Sequence, residues 1–363
     1  MSGATPEGSL LSVSDPRWRE FLNDIEHDFY HLPEYQEFGA AHQEAGEPVA
    51  FLAEEARDRL LVPMIIRPIP DEIVGHQDRL DAISLRGYPG PLLSVADPDR
   101  SEDFVDRASI SLKRTLAAHG VVSAYIRLHP LFELPLAALR RHGAVVDHGD
   151  AVVVDLTTPY DEMWRMTEHG HRRHINRIRK DADWTVRIDE KWERLDGLVQ
   201  AYDESMARLG AASHWRLRYE YFDDMHAALG DRISLCVAEY GDRLAAAALL
   251  TEEAGIAEYY LSGTVDDFVR ASPSKAIIDF ARQWAKERGN RVLNLAGSLR
   301  RGDSLSKFKL GFSPLHYPVM SWRLVSDEPA YDALTAAWSQ WSRSTPDDPD
   351  GFFPAYRQDP SRS

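Results

Sequence analysis

One cysteine, Cys236, stands in 363 residues. A disulfide within the chain is impossible, and a metal cluster built on thiolates is excluded as well. Basic charge is also short: 42 Lys and Arg face 58 Asp and Glu, a formal net charge of -16. That balance argues against broad binding of DNA or of an anionic membrane, and leaves room only for a local basic site. Seven of the cations are lysines, so the position of each lysine is informative. The longest apolar run, Leu244–Leu250, falls far short of the roughly 20 residues that span a bilayer. Membrane insertion is not expected. Residues 1–8 lack the cationic and apolar regions of a secretory signal, and with the single cysteine this points to a cytoplasmic protein. A Walker loop, a dinucleotide-binding glycine fingerprint, a Gly-x-Ser-x-Gly elbow and a His-Glu-x-x-His pair are all missing. P-loop ATPase, nicotinamide dehydrogenase, serine hydrolase and zincin chemistry therefore have no support.

What is present is an ordinary globular composition, 44% hydrophobic, 10% aromatic and 28% charged, at a length that suits two domains. Residues 48–67 read as a hairpin, with apolar runs on either side of Glu54-Glu-Ala-Arg-Asp58. A strand at 82–85, an irregular turn at Gly87-Tyr-Pro-Gly-Pro91, a helix at 101–118, a strand at 121–127 and a short helix at 133–141 follow. A comparable order returns later. Strands at 233–239, 243–250 and 256–261 lead into a helix with Ser272 as N-cap and Pro273 at its first position, then a strand at 292–295. Two copies of one α/β unit are expected, with a strand at 151–156, a helical stretch at 160–181 and helices near 191–209 and 216–229 between them. The boundaries that follow are 1–150 for the first domain, completed by 315–345, 151–314 for the second, and a loosely ordered tail at 346–363.

Four groups of residues are candidates for chemistry. His169-Gly-His171-Arg-Arg-His174 places His171 and His174 three apart on a helix, but Arg172 and Arg173 would repel a cation, and no metal is expected. The same helix gathers Arg172, Arg173, Arg177, Arg179 and Lys180, either as a solvated face or as a clamp for phosphates. A second basic group, Arg300-Arg301-Gly-Asp303-Ser-Leu-Ser-Lys307-Phe308-Lys309, follows a strand directly, where α/β sheets place ligands; the plain alternative is a helix capped by Asp303 or Ser304. Tyr259 and Tyr260 are adjacent in a strand, so one ring faces the core and the other the opposite surface.

Taken in order, Val152-Val-Val-Asp155-Leu, Arg172-Arg-x-Ile175-x-x-Ile178-x-Lys180, Tyr259-Tyr-Leu-Ser-Gly263 and Asp303-Ser-Leu-x-x-Phe308-Lys309-x-x-Phe312 resemble the Fem-type (FemABX-like) aminoacyltransferases. The resemblance covers roughly residues 150–315; the N-terminal half agrees mainly in element order. It implies an α/β fold of two tandem acetyltransferase-like (GNAT) domains with mixed, mostly antiparallel sheets. It implies transfer of an amino acid from aminoacyl-tRNA to an acceptor amine, forming an amide without the ribosome and without a further cofactor. By the same resemblance Phe308 and Lys309 lie at the aminoacyl end of the tRNA, Lys309 as partner of the oxyanion. Arg172, Arg173, Arg177, Tyr259, Tyr260, Arg300, Arg301 and Asp303 are then expected to bind substrate.

The first lysine is Lys113, so the N-terminal lysine that holds a diphosphate in members acting on cell-wall precursors has no counterpart; Arg57, Arg67 or Arg86 are the available substitutes. A smaller, peptide-like or amine-bearing acceptor is expected. Three alternatives stand beside this reading: an acyl-CoA-dependent GNAT N-acyltransferase, a transferase of the peptidoglycan bridge, and a non-catalytic binding module. Acyl-CoA needs a glycine-rich turn whose amides receive the pyrophosphate. Arg270-Ala-Ser-Pro273-Ser-Lys275 stands there instead, without glycine and with a proline that has no donor.

Overall fold

The computed structural model describes residues 5–70, 73, 79–210, 217–297, 302–343, 345 and 351–359. The chain divides into two compact units, one of Met1–Glu26, Tyr30–His148 and Val319–Ser363, the other of His27–Phe29 and Gly149–Pro318.

In the first unit the hairpin joins β2 (Glu47–Glu55) to β3 (Asp58–Pro68) through a two-residue turn in which Ala56 has φ 58°. Each strand carries a continuous buried run, because both faces of the sheet are covered. β1 (Glu7–Ser12) pairs with β2, while β4 (Leu80–Ile83) and the short β5 (Leu92–Ser94) both pair with β3. Next to β4 lies β6 (Val121–Arg127), parallel to it, and β13 (His316–Val325) closes the order antiparallel to β6. Two helices in the N-terminal stretch, α1 (Pro16–Asn23) and α2 (Pro33–His42), were not expected from the sequence. The helix at Ser101–Ala118, α3, buries Phe104, Val105, Ala108, Leu112 and Leu116 against Phe51, Val62, Ile126 and Trp322. α4 (Leu136–His142) packs beside it.

The second unit begins in β7 (Gly143–Asp155), whose C-terminal half, Ala151–Val154, is buried. The helical stretch expected over 160–181 is two helices, α5 (Tyr160–Met166) and α6 (His169–Lys180), because Thr167 leaves the helical region at ψ 132° and turns its hydroxyl back to the Met163 carbonyl. The sheet order is β7, β12 (Val292–Asn294), β11 (Ile256–Thr264), β10 (Arg243–Glu253), β9 (Ile233–Tyr240), β8 (Trp184–Ile188). Only β11 and β12 run parallel among these described pairs. Tyr260 is an extra residue in β11: Leu249 faces Leu261 and Leu250 faces Tyr259, so the ladder bulges there. α7 (Leu195–Arg208) lies against β11, where Gly263 permits the approach; a Cβ there would sit 2.2 Å from the Ala201 carbonyl carbon. α8 (Tyr219–Leu229) precedes β9. The other face is packed by α9 (Pro273–Glu287), which buries Ile277, Ile278, Ala281 and Ala285 on Val152, Ala248, Ala257 and Leu293.

Two expectations need correction. Ser272 occupies the N-cap position of α9 but at φ 56°, and its side chain makes no cap bond; its hydroxyl turns back to the Val269 carbonyl. The tail expected to be loose is packed over 351–359: Tyr356 is fully buried, bonds Ser123 Oγ at 2.7 Å, and rests on Trp338 of α11 (Glu328–Ser342), after α10 (Ser304–Leu310) the last helix of the chain. Its acidic and proline-rich stretch 346–350 lies outside the described residues. Aromatics just beyond that stretch supply the burial that composition alone concealed.

Candidate active site

β12 ends at Asn294, and the chain turns at Ala296, a non-glycine residue at φ 59°. A left-handed alanine is strained and persists only where its surroundings enforce it. Here the Asn294 side chain does so, accepting from the Ala296 amide at 2.9 Å while donating to Glu258 at 2.7 Å. The turn aims two successive carbonyls at one point. Lys309 Nζ occupies that point, 3.2 Å from the Ala296 oxygen and 2.7 Å from that of Gly297. Lys309 is 8% exposed, and burial pulls its ammonium down to a pKa of about 8, against the upward pull of Glu258 and Asp303. Among the described residues two of its three N–H donors are used by carbonyls, which leaves one.

α10 carries Lys309 and is started by Asp303, whose side chain accepts from the Ser306 amide at 2.7 Å. The plain capping role thus belongs to Asp303, and its charge also favours the Lys309 ammonium. Phe308, half-buried, joins the core of the unit, and its carbonyl accepts from His171 Nε2 at 2.9 Å. The His171 ring lies 5.3 Å from Phe308 and 4.7 Å from Phe312. His171 is a core histidine whose Nε2 is engaged by the Phe308 carbonyl, and burial lowers its pKa. Gly311 makes room for it: a Cβ there would be 2.6 Å from Nε2. Gly311→Ala forces the ring aside, and chemical denaturation is expected to show a loss of about 1–3 kcal/mol.

Tyr259 faces the core, and Tyr260 faces the other side of the sheet, where its hydroxyl meets that of Tyr221 at 2.9 Å and its edge meets Phe29 at 5.4 Å. Tyr259 is buried in the core of the unit, and burial raises its hydroxyl far above its ordinary pKa. Beside Tyr260 sits a group that sequence reasoning missed. Glu258 and Asp28 are both fully buried, with carboxyl oxygens within 4.8 Å. Burial first, and Asp28 second, push Glu258 well above the carboxylate range. The Lys309 charge acts on Glu258 in the opposite sense, favouring the carboxylate. A glutamate inside the otherwise apolar run Ile256-Ala-Glu-Tyr was the available signal.

The basic helix α6 divides by face. Ile175, Ile178 and His171 point inward. Arg179 pairs with Asp279 and bonds the Tyr160 hydroxyl at 2.6 Å, so its charge is structural. Arg172 is half-buried, while Arg173, Arg177 and Lys180 are exposed. Arg173 and Arg177 share the field of His174, and Lys275, in the first turn of α9, feels the Arg173 charge. Arg300 and Arg301 lie outside the described residues. At the start of α9 the backbone is poorly disposed for a pyrophosphate. The Ser272 amide is spent on the Val269 carbonyl at 3.1 Å, and Pro273 has none.

The acetyltransferase (GNAT) domain family matches residues 166–309. No curated protein matches the sequence. Among solved structures the chain is similar to FemX, with 13% identity and a TM-score of 0.67 over 89% of this chain and 99% of that one. It is also similar to the C-terminal domain of a protein assigned as a lysylphosphatidylglycerol synthetase from Agrobacterium fabrum, with 16% identity and a TM-score of 0.51 over 88% of this chain and 93% of that one. A conserved protein of unknown function from Bacteroides thetaiotaomicron shares the fold at 10% identity and a TM-score of 0.52, over 80% and 89% of the two chains. At these identities the likeness is one of fold. The chain is an α/β protein of GNAT-like fold, with residues 166–309 similar to the acetyltransferase (GNAT) domain family. No described helix is long and apolar enough to cross a membrane.

Proposed function

We propose that the protein transfers an aminoacyl group from aminoacyl-tRNA to an amine of a small peptide-like or metabolite acceptor. The observation that carries this reading is Lys309: a buried ammonium, pinned by two carbonyls at the carboxyl end of the parallel strand pair, with one donor left among the described residues. Attack of a neutral amine on the ester carbonyl forms a C–N bond and puts negative charge on the carbonyl oxygen. A fixed ammonium in a site of low dielectric stabilises that oxyanion more than the neutral ester, which is the difference that accelerates the step. Collapse breaks the acyl C–O bond, and the proton lost by the nitrogen ends on the leaving ribose hydroxyl. Ester and amine are reactive enough that positioning and charge suffice without an enzyme-bound intermediate.

The donor assignment rests on the Fem-type motif Phe308-Lys309-x-x-Phe312 and on the exposed cations of α6. Arg173→Ala with Arg177→Ala is expected to weaken tRNA binding and flatten its log-log salt dependence by roughly 1.5; an unchanged slope returns these residues to the solvated-face reading. The family match favours one second reading, an acyl-CoA-dependent N-acyltransferase, against which the spent Ser272 amide and Pro273 both count. Incubation with charged total tRNA and a panel of amines, followed by mass spectrometry, separates the two. Amide product that RNase treatment abolishes supports the tRNA donor. Product formed from acetyl-CoA and insensitive to RNase selects the other.

A further inference from the structure

The acyl-transfer reading gives the first unit no ligand, yet its parallel strand pair also ends in a cation held by successive carbonyls. Arg127 closes β6, and its partner β4 ends at Ile83. Arg127 Nη1 donates to the carbonyl of Ser84 at 2.5 Å and of Leu85 at 3.3 Å, the two residues that follow β4. The Arg127 amide donates to Ser84 Oγ at 2.8 Å, which fixes the strand end against the turn. The guanidinium carbon lies 5.0 Å from the centre of the Tyr125 ring.

All these side-chain hydrogen bonds use Nη1. Among the described residues nothing accepts from Nε or Nη2, and neither atom is among those sealed from solvent without a partner. That edge of a guanidinium is the one that takes two oxygens at once from a carboxylate or a phosphate. The surrounding charges leave it available. Arg67 is paired with Glu44 and Asp81, and Arg357 with Asp81. Arg127 itself has no carboxylate at ion-pair distance among the described residues; the Glu44 charge favours its cation from further off, and the Arg86 charge opposes it. Burial adds a further penalty on the cation, which a bound anion would offset.

We propose that the Nε and Nη2 edge of Arg127 is a binding site for a two-oxygen anion, a carboxylate or phosphate group, at the carboxyl end of β4 and β6. Neither the resemblance to Fem-type enzymes nor the Lys309 site requires it. Calorimetric titration of the full chain with inorganic phosphate, and separately with N-acetylglycine, tests it and tells the two sources apart. One of the two is expected to bind the wild type with a stoichiometry of one. Arg127→Lys keeps the charge without the fork and is expected to lose roughly tenfold in affinity at an unchanged Tm; Arg127→Met loses binding entirely. No binding of either anion to the wild type, or equal binding by wild type and Arg127→Lys, overturns the proposal. Should Arg127→Met fail to fold, the lysine variant still decides.

Discussion

Replacing Lys309 by methionine is expected to lower kcat by about 10²–10³ while KM for the acceptor changes little. The side chain is of similar length and apolar, so it fills the same volume. What it removes is the whole ammonium, including, among the described residues, the N–H left over after the Ala296 and Gly297 carbonyls are served. Those carbonyls then lose their donor and Glu258 the positive charge beside it, so a fall in stability is expected too. Activity must therefore be normalised to folded protein. The two effects separate because the stability loss is read by unfolding and the catalytic loss by single-turnover transfer. Full turnover by correctly folded Lys309→Met removes Lys309 from the chemistry.

The second large effect concerns the frame around α6. Arg282 is fully buried in α9 and bonds Asp279 through Nε at 3.1 Å and Nη2 at 2.5 Å, and through Nη1 the Met163 carbonyl at 3.2 Å and Thr167 Oγ1 at 2.9 Å. Asp279 in turn accepts from Tyr160 at 3.1 Å and pairs with Arg179. This network ties the break between α5 and α6 to α9, and so sets where the basic face of α6 points. Arg282→Met leaves a buried carboxylate short of its main partner and removes the donor to Thr167 Oγ1. A loss of about 3–5 kcal/mol is expected, on the order of 10 °C in Tm. Adding Asp279→Leu is expected to recover part of that loss, because an apolar pair costs less than an unpaired buried charge. A double variant no better than the single one shows that the charge pair is not the cause.

Both predictions depend on contacts with different visibility in the sequence. The hairpin 47–68 and the helix at Ser101–Ala118 were legible because apolar runs and helical spacing are local signals. The motif carrying Phe308 and Lys309 was legible as a string of residues; its burial was not, since that depends on the left-handed turn at Ala296 and on Asn294 bracing it. Asp28 and Glu258 meet across most of the chain length, and no periodicity reports such a contact. Ser272 and Pro273 formed a convincing cap signal locally, but the short 3-10 helix at Asp266–Ala271 delivers the chain at a dihedral that turns the serine away. Tertiary context decided each of these.

The most direct test of the Lys309 account is the ratio of wild-type to Lys309→Met kcat as a function of pH, since the ratio cancels the ionisation of the attacking amine. With its ammonium at a pKa of about 8, Lys309 is charged below that pH and neutral above it. The ratio is expected to stay high and level on the acid side, then to fall roughly tenfold per pH unit above the midpoint. A ratio that does not change from about pH 7 to about pH 10 contradicts the claim that the Lys309 charge stabilises the transition state.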